Sequence, residues 1–172
     1  MLNAMNSYRK WFVFLTALLF ALLSVSTASA GEPKDMQGWG NEDPYNEYYD
    51  VREYEKFRAW VVKLTEVVPM PGMSPATALI VRDGSEMIEV HLCPSWFAGP
   101  GDVGVKPGDR VKIKGCWAEI DGKDIFMASK VKKGDYFEFK VRLTKDGTPF
   151  WTMSKEQLAY EREQSRQSVM KE

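Results

Sequence analysis

The stretch Met87–Trp117, MIEVHLCPSWFAGPGDVGVKPGDRVKIKGCW, decides the fold. It holds the chain's one His, both its Cys, a Trp-Phe pair and two segments that alternate like strands. Glu86–Cys93 predicts a strand with Ile88, Val90 and Leu92 on one face, because successive strand side chains leave opposite faces. Glu89, His91 and Cys93 then share the other face. Arg110–Ile120 predicts a second strand, with Val111 and Ile113 inward and Arg110, Lys112 and Lys114 outward. Between the two, Pro94, Pro100, Pro107 and four glycines exclude a strand. A short helical turn around Ser95-Trp96-Phe97 fits the start of that connection.

Working outward, Arg58–Val68 is a strand with Trp60, Val62 and Leu64 on one face. Pro69, Pro71 and Pro75, with Gly72, force the loop after it. Thr77–Arg82 follows, and Asp83-Gly84 turns it into Glu86–Cys93. Beyond Arg110–Ile120, Asp121-Gly122 turns the chain into Asp124–Lys132. Gly134-Asp135 turns it again into Tyr136–Thr144. There Phe137, Phe139, Val141 and Leu143 oppose Glu138, Lys140 and Arg142. Ser154-Lys-Glu-Gln157 is a capping box that opens a polar helix within residues 152–172.

The N-terminal part has a different character. Arg9 and Lys10 precede the apolar run Trp11–Leu23, and Ala28-Ser29-Ala30 is a small-x-small cleavage pattern. Residues 1–30 read as a secretory signal peptide, cut before Gly31. The apolar run is shorter than the ~20 residues of a spanning helix, so no transmembrane anchor is expected after processing. The expected location is the periplasm. Loss of Arg9 and Lys10 takes the net charge from −1 to near −3. Residues 31–56 read as an extended or disordered acidic leader, with eight acids and three bases over Glu32–Phe57. Its Trp39, Tyr45, Tyr48 and Tyr49 either lie over the domain or form an adhesive segment. Lys106–Lys145 is the converse, with eleven bases and six acids. That gradient marks either an interaction face or a solvated surface.

Five or six short strands with hairpin turns, and no crossover helices, imply an all-β antiparallel Greek-key barrel over residues 57–151. Three tightly joined strands, a long irregular segment and a further hairpin follow the order of the OB-fold. Gly108-Asp109-Arg-Val111-Lys-Ile-Lys-Gly115 resembles the entry to the fourth strand of many OB domains. Together with VHLCPSWF and LTKDGTPFW, it resembles small exported bacterial OB-fold proteins, loosely similar to the bacterial OB-fold stress-tolerance group. That resemblance implies the fold more than an activity, and this chain has Cys93 where such proteins have Gly.

The candidate chemistry is sparse. Cys93 and Cys116 either form a disulfide, as pairs in exported proteins commonly do, or stay free. Strands two spacings apart in a barrel, roughly 9–10 Å, oppose a bridge. His91, Cys93 and Cys116 could ligate a metal, but no CxxC or HxxxH spacing supports one. No Ser-His-Asp set or GxSxG points to an enzyme, and no cofactor is implied. Trp96, Phe97 and Trp117, with Lys112 and Lys114, are candidate ligand contacts, since aromatic platforms with flanking cations suit OB ligands. Trp96 and Phe97 equally suit a plug in the barrel end. The expectation is a non-catalytic module for a periplasmic partner protein or an anionic ligand, with export making nucleic acid an unlikely partner. The alternative is a metal- or redox-linked protein using His91, Cys93 and Cys116.

Overall fold

The computed structural model describes residues 35–170. The expected signal peptide and the first residues of the leader lie outside the described residues. Asp35–Glu172 is one compact unit with a hydrophobic core.

Six strands form the body: β1 (Tyr54–Val67), β2 (Ala76–Asp83), β3 (Glu86–Pro94), β4 (Arg110–Ile120), β5 (Lys123–Lys133) and β6 (Phe137–Lys140). Their order is β3-β2-β1-β4-β5-β6, and every neighbour in that list is antiparallel. A parallel pairing of β3 with β5, Val90 with Phe126 and His91 with Met127, closes the sheet on itself. The result is the OB barrel expected from the strand order.

Two irregularities make closure work. β1 pairs with β4 through its first half and with β2 through its second, and Trp60 touches both. The register shifts between Val61 and Lys63, so Val62 is an extra residue that bends the strand. On β5, Lys114 pairs with Lys130 but Gly115 pairs with Ala128, leaving Ser129 unpaired. The Ser129 carbonyl accepts from both Val141 and Arg142 backbone N–H groups, at 2.8 and 3.1 Å. At the same bulge Gly115 approaches β5 so closely that a Cβ would lie 2.0 Å from the Met127 carbonyl oxygen. Asp121 and Gly122, both at positive φ, make the tight turn between β4 and β5.

The inner core follows the period of two. Val61, Leu79, Val81, Val90, Val111, Ile113, Phe126 and Val131 are all buried. In the β3–β4 connection, Val103 and Val105 are buried, and a 3-10 turn spans Pro100–Asp102. A short helix α1 (Pro44–Glu47) precedes β1, and helix α2 (Lys155–Val169) follows the barrel. The Ser154–Gln157 capping box caps α2 as expected, with Gln157 N–H donating to Ser154 Oγ at 3.2 Å.

Three expectations need correction. Trp60 and Leu64 do not share a face: Trp60 pairs with Arg82 on the outer side and Leu64 with Leu79 on the inner, because the Val62 bulge lies between them. The leader is not disordered from Asp35 onward, because Trp39, Tyr45 and Tyr49 are buried against the barrel. Its acids lie on the solvent side and hide an aromatic anchor that their number obscures. Nor does β6 run to Thr144. It ends at Lys140, the chain folds back through an Arg142–Pro149 bridge, and Arg142 is buried instead of facing out.

Candidate functional site

The outer surface of the barrel has a covered part and an open part. The covered part is a ring of residues in register: Tyr54, Cys116, Met127, His91, Ala78 and Thr65. Paired residues share a face, so the ring encircles the outside of the barrel. Cys116, Met127, His91 and Ala78 are nevertheless buried. The leader and the segment after β6 bury them. Trp39 donates its indole N–H to Ser74 O at 3.0 Å and packs edge-on against Tyr45 and Trp151. Trp151 donates its indole N–H to the Trp39 carbonyl at 2.8 Å. Strand β3 and the β1–β2 loop belong to the surface where OB domains usually bind ligands. In this chain the leader lies on both.

His91 sits inside that cover, 4% exposed. Its Nε2 is 2.8 Å from a Glu89 oxygen, and its Nδ1 is 3.0 Å from the Tyr45 hydroxyl. A carboxylate can only accept, so Nε2 carries the proton and Nδ1 accepts from Tyr45. Burial pushes the imidazole below its ordinary range, against the pull of Glu89. Partial burial opposes ionisation of Glu89, but hydrogen bonds from Lys123 and His91 hold its carboxyl below the usual value. Both ring nitrogens are thus committed.

Cys93 and Cys116 are free and buried. The Cys93 thiol faces the Ala98 carbonyl at 3.6 Å, and burial pushes it up to about 12. Burial also raises the Cys116 thiol, which lies beside the Tyr49 hydroxyl. Neither environment favours the thiolate that redox exchange or metal ligation needs. Among the described residues no group of three or more His, Cys, Asp or Glu could hold a metal ion. His91, Cys93 and Cys116 are not brought together as a donor set.

Arg142 is the residue that alternation misplaced. It is 2% exposed and lies 4.8 Å from the centroids of both Tyr49 and Trp151. Its guanidinium donates to Gly147 O at 3.2 Å and to Asn46 Oδ1 at 2.8 Å. Two aromatic faces replace the carboxylate a buried cation would otherwise need.

The open part lies farther back along β1, β4 and β5. One row in register is Arg58, Lys112, Lys132 and Glu138; the next is Lys56, Lys114, Lys130 and Lys140. Glu138 is the sole acid in these rows and pairs with Lys130 at 3.0 Å and Lys132 at 3.9 Å. Lys140 pairs with Glu161 of α2 at 3.4 Å. Among the described residues Lys56, Arg58, Lys112 and Lys114 make no ion pair. Partial burial, then the crowding of Lys130, Lys112, Lys132 and Lys56, holds the Lys114 ammonium below its ordinary value. A depression of about 360 Å³ opens between Arg58, Arg110, Lys112 and Lys132, with Asp135 also in its lining.

The aromatic candidates do not join these lysines. Trp117 alternates onto the inner face, stacks on Phe57 at 6.3 Å and meets Phe126 edge-on at 5.2 Å. It caps one end of the inner core and donates to Glu55 at 3.2 Å. Phe97 packs on Trp151, with Arg162 of α2 over its ring. Trp96 is exposed at the turn beside it. Lys112 and Lys114 stay together on the open face.

Residues 53–137 match the MamS/MamX magnetosome protein family. The MamS/MamX match begins just before β1 and ends at the first residue of β6, so it covers β1–β5 and leaves out most of the leader, most of β6 and all of α2. It is not the stress-tolerance group that the sequence motifs resemble; the small OB barrel is what agrees. No curated protein matches the chain. Among solved structures, one similar chain comes from "Structure and Conformational Change of a Replication Protein A Heterotrimer Bound to ssDNA". It is 12% identical, with a TM-score of 0.37, and the match covers 68% of this chain and 74% of that one.

Proposed function

We propose that the protein is a non-catalytic OB-fold module of the periplasm that holds an anionic ligand on the outer face of β1, β4 and β5. The observation that supports this is the pair of cross-strand rows in which cations crowd cations. Like charges placed opposite each other destabilise a sheet. Lys56, Arg58, Lys112 and Lys114 keep that arrangement, with Glu138 the one acid in the two rows and Asp135 at the edge of the depression beside them. A bound anion removes the repulsion and gains several charge-assisted contacts at once. The leader covers the β1–β2 loop and His91 of β3, part of the usual OB surface, and leaves this face open. The buried thiols and the doubly bonded His91 give the metal or redox alternative no comparable support.

The test is calorimetric titration of residues 31–172 with inorganic tripolyphosphate. Binding that weakens steeply with salt, and is lost in Lys112→Glu/Lys114→Glu, is the expected result. Unchanged affinity in that variant would put the anion elsewhere.

A further inference from the structure

We infer that the anionic ligand is the headgroup layer of a phospholipid bilayer, against which this face of the barrel docks. This rests on the anion-binding reading above and adds one more row of the same face. Met87 pairs with Arg82, Arg82 with Trp60, and Trp60 with Arg110. The row crosses four strands and alternates apolar with cationic. Met87 is 55% exposed and Trp60 46%, and both arginines are exposed. Val62, the extra residue of the β1 bulge, is 41% exposed next to Trp60 along the strand. The Arg110 guanidinium lies over the Trp60 ring at 5.9 Å from its centroid.

A soluble polyanion accounts for Lys56, Arg58, Lys112 and Lys114. It gives no role to Trp60, Val62 and Met87 beside them. A bilayer surface accounts for both. Its anionic headgroups attract Lys and Arg within about a Debye length. Its interfacial zone is where amphipathic Trp rings and apolar side chains are most at home. Arg side chains on either side of Trp60 can extend to the phosphates while their stems lie along apolar surface. Asp83 and Glu86, at the tip of the β2–β3 hairpin, pair with each other. They alternate onto the opposite face, so they do not repel a surface that meets Arg82 and Met87.

The experiment is sedimentation of residues 31–172 with sucrose-loaded vesicles, run beside the tripolyphosphate titration. The shortened chain keeps its whole described core, and it lacks the apolar run Trp11–Leu23, which would enter a bilayer unaided. Vesicles of phosphatidylcholine with phosphatidylglycerol should bind the protein, and vesicles of phosphatidylcholine alone should not. Lys112→Glu/Lys114→Glu should lower the vesicle partition coefficient by at least about tenfold. Trp60→Ala/Met87→Ala should lower it about tenfold while leaving tripolyphosphate affinity unchanged. Brominated lipid should quench a tryptophan signal that Trp60→Phe removes. Tripolyphosphate binding without vesicle binding would end the bilayer inference and leave the anion reading standing. Binding to neither would end both. Equal binding to neutral vesicles, or no effect of Trp60→Ala/Met87→Ala, would also overturn it.

Discussion

Strand β4 presents two regions of one outer face a single step apart. Arg110, Lys112 and Lys114 stay open, and Cys116 is sealed beneath the leader. All four occupy the same side by alternation. What separates them is whether a distant segment comes to lie on top. Under the cover, the outer positions are Cys116, Met127, His91 and Ala78, and both ring nitrogens of His91 are bonded. Outside it, the positions are mostly cations, of which Lys130, Lys132 and Lys140 have acidic partners. A barrel of this kind thus has two fully built layers at one end and one layer at the other. The bare layer is where a ligand can sit.

That contrast can be broken most severely at Gly115, on the border between the regions. A methyl group there would meet the Met127 carbonyl, a backbone atom that cannot swing away. Gly115→Ala should cost roughly 4 kcal/mol or prevent folding. Chemical denaturation against a conservative exposed control would measure it, and a cost under about 1 kcal/mol would mean the strands can part freely. Arg142→Ala comes next. It removes a buried cation stacked on Tyr49 and Trp151 and strips two hydrogen-bonded acceptors. A loss of about 3 kcal/mol is expected. The same variant should let a thiol reagent reach Cys116 in the native state, where wild type reacts only after unfolding.

Tyr45→Phe tests the cover more gently. It leaves His91 Nδ1 buried without a donor, at a cost of about 1–2 kcal/mol. The His91 site also predicts a pH dependence with a definite sign. The folded imidazole is held neutral below its ordinary value of 6.5, while the unfolded one protonates there. The unfolded state therefore binds more protons as pH falls below about 6.5, and stability drops with it until the folded pKa is passed. Denaturation midpoints between pH 8 and 5 should fall over this window, and less so in His91→Gln. A profile identical in the two proteins would remove His91 from the account. The smallest effect belongs to the open face. Lys112→Glu/Lys114→Glu should leave stability within about 0.5 kcal/mol of wild type. Because it relieves crowding at Lys114, any shift should be upward. A marked loss would make these lysines structural and weaken the binding proposal.

Much of the barrel was legible in the sequence. Hairpin turns at Asp83-Gly84 and Asp121-Gly122, the proline-rich loop and the period of two fixed the strands and their order. The capping box at Ser154 marked the start of the last helix. The covered part was legible only as one of two placements for the leader's aromatics, for one physical reason. Alternation tells which residues share a face, but not what a remote segment will lay over that face. His91 and Cys93 therefore looked like an exposed polar face, and Arg142 looked like one more surface cation. The leader misled in the opposite direction. Its acids dominate its composition, while three aromatic side chains decide where it goes. Lys112 and Lys114 were correctly placed outward, and their cross-strand neighbours became visible only with the register. Trp117 was lost to the site because it continues the inner face past Gly115.

The bond from the Trp151 indole to the Trp39 carbonyl joins residues 112 apart in the chain. Contacts over such separations form late, because closing the long loop between them costs entropy before it returns anything. The barrel must therefore be rolled up before its outer layer can settle. The part of the mature chain that is synthesised first is the part that finds its place last. Until then its aromatic side chains, and the His91 and Cys116 they will cover, face water. A nascent or partly unfolded chain is for that interval stickier, and more open to oxidation, than the finished protein.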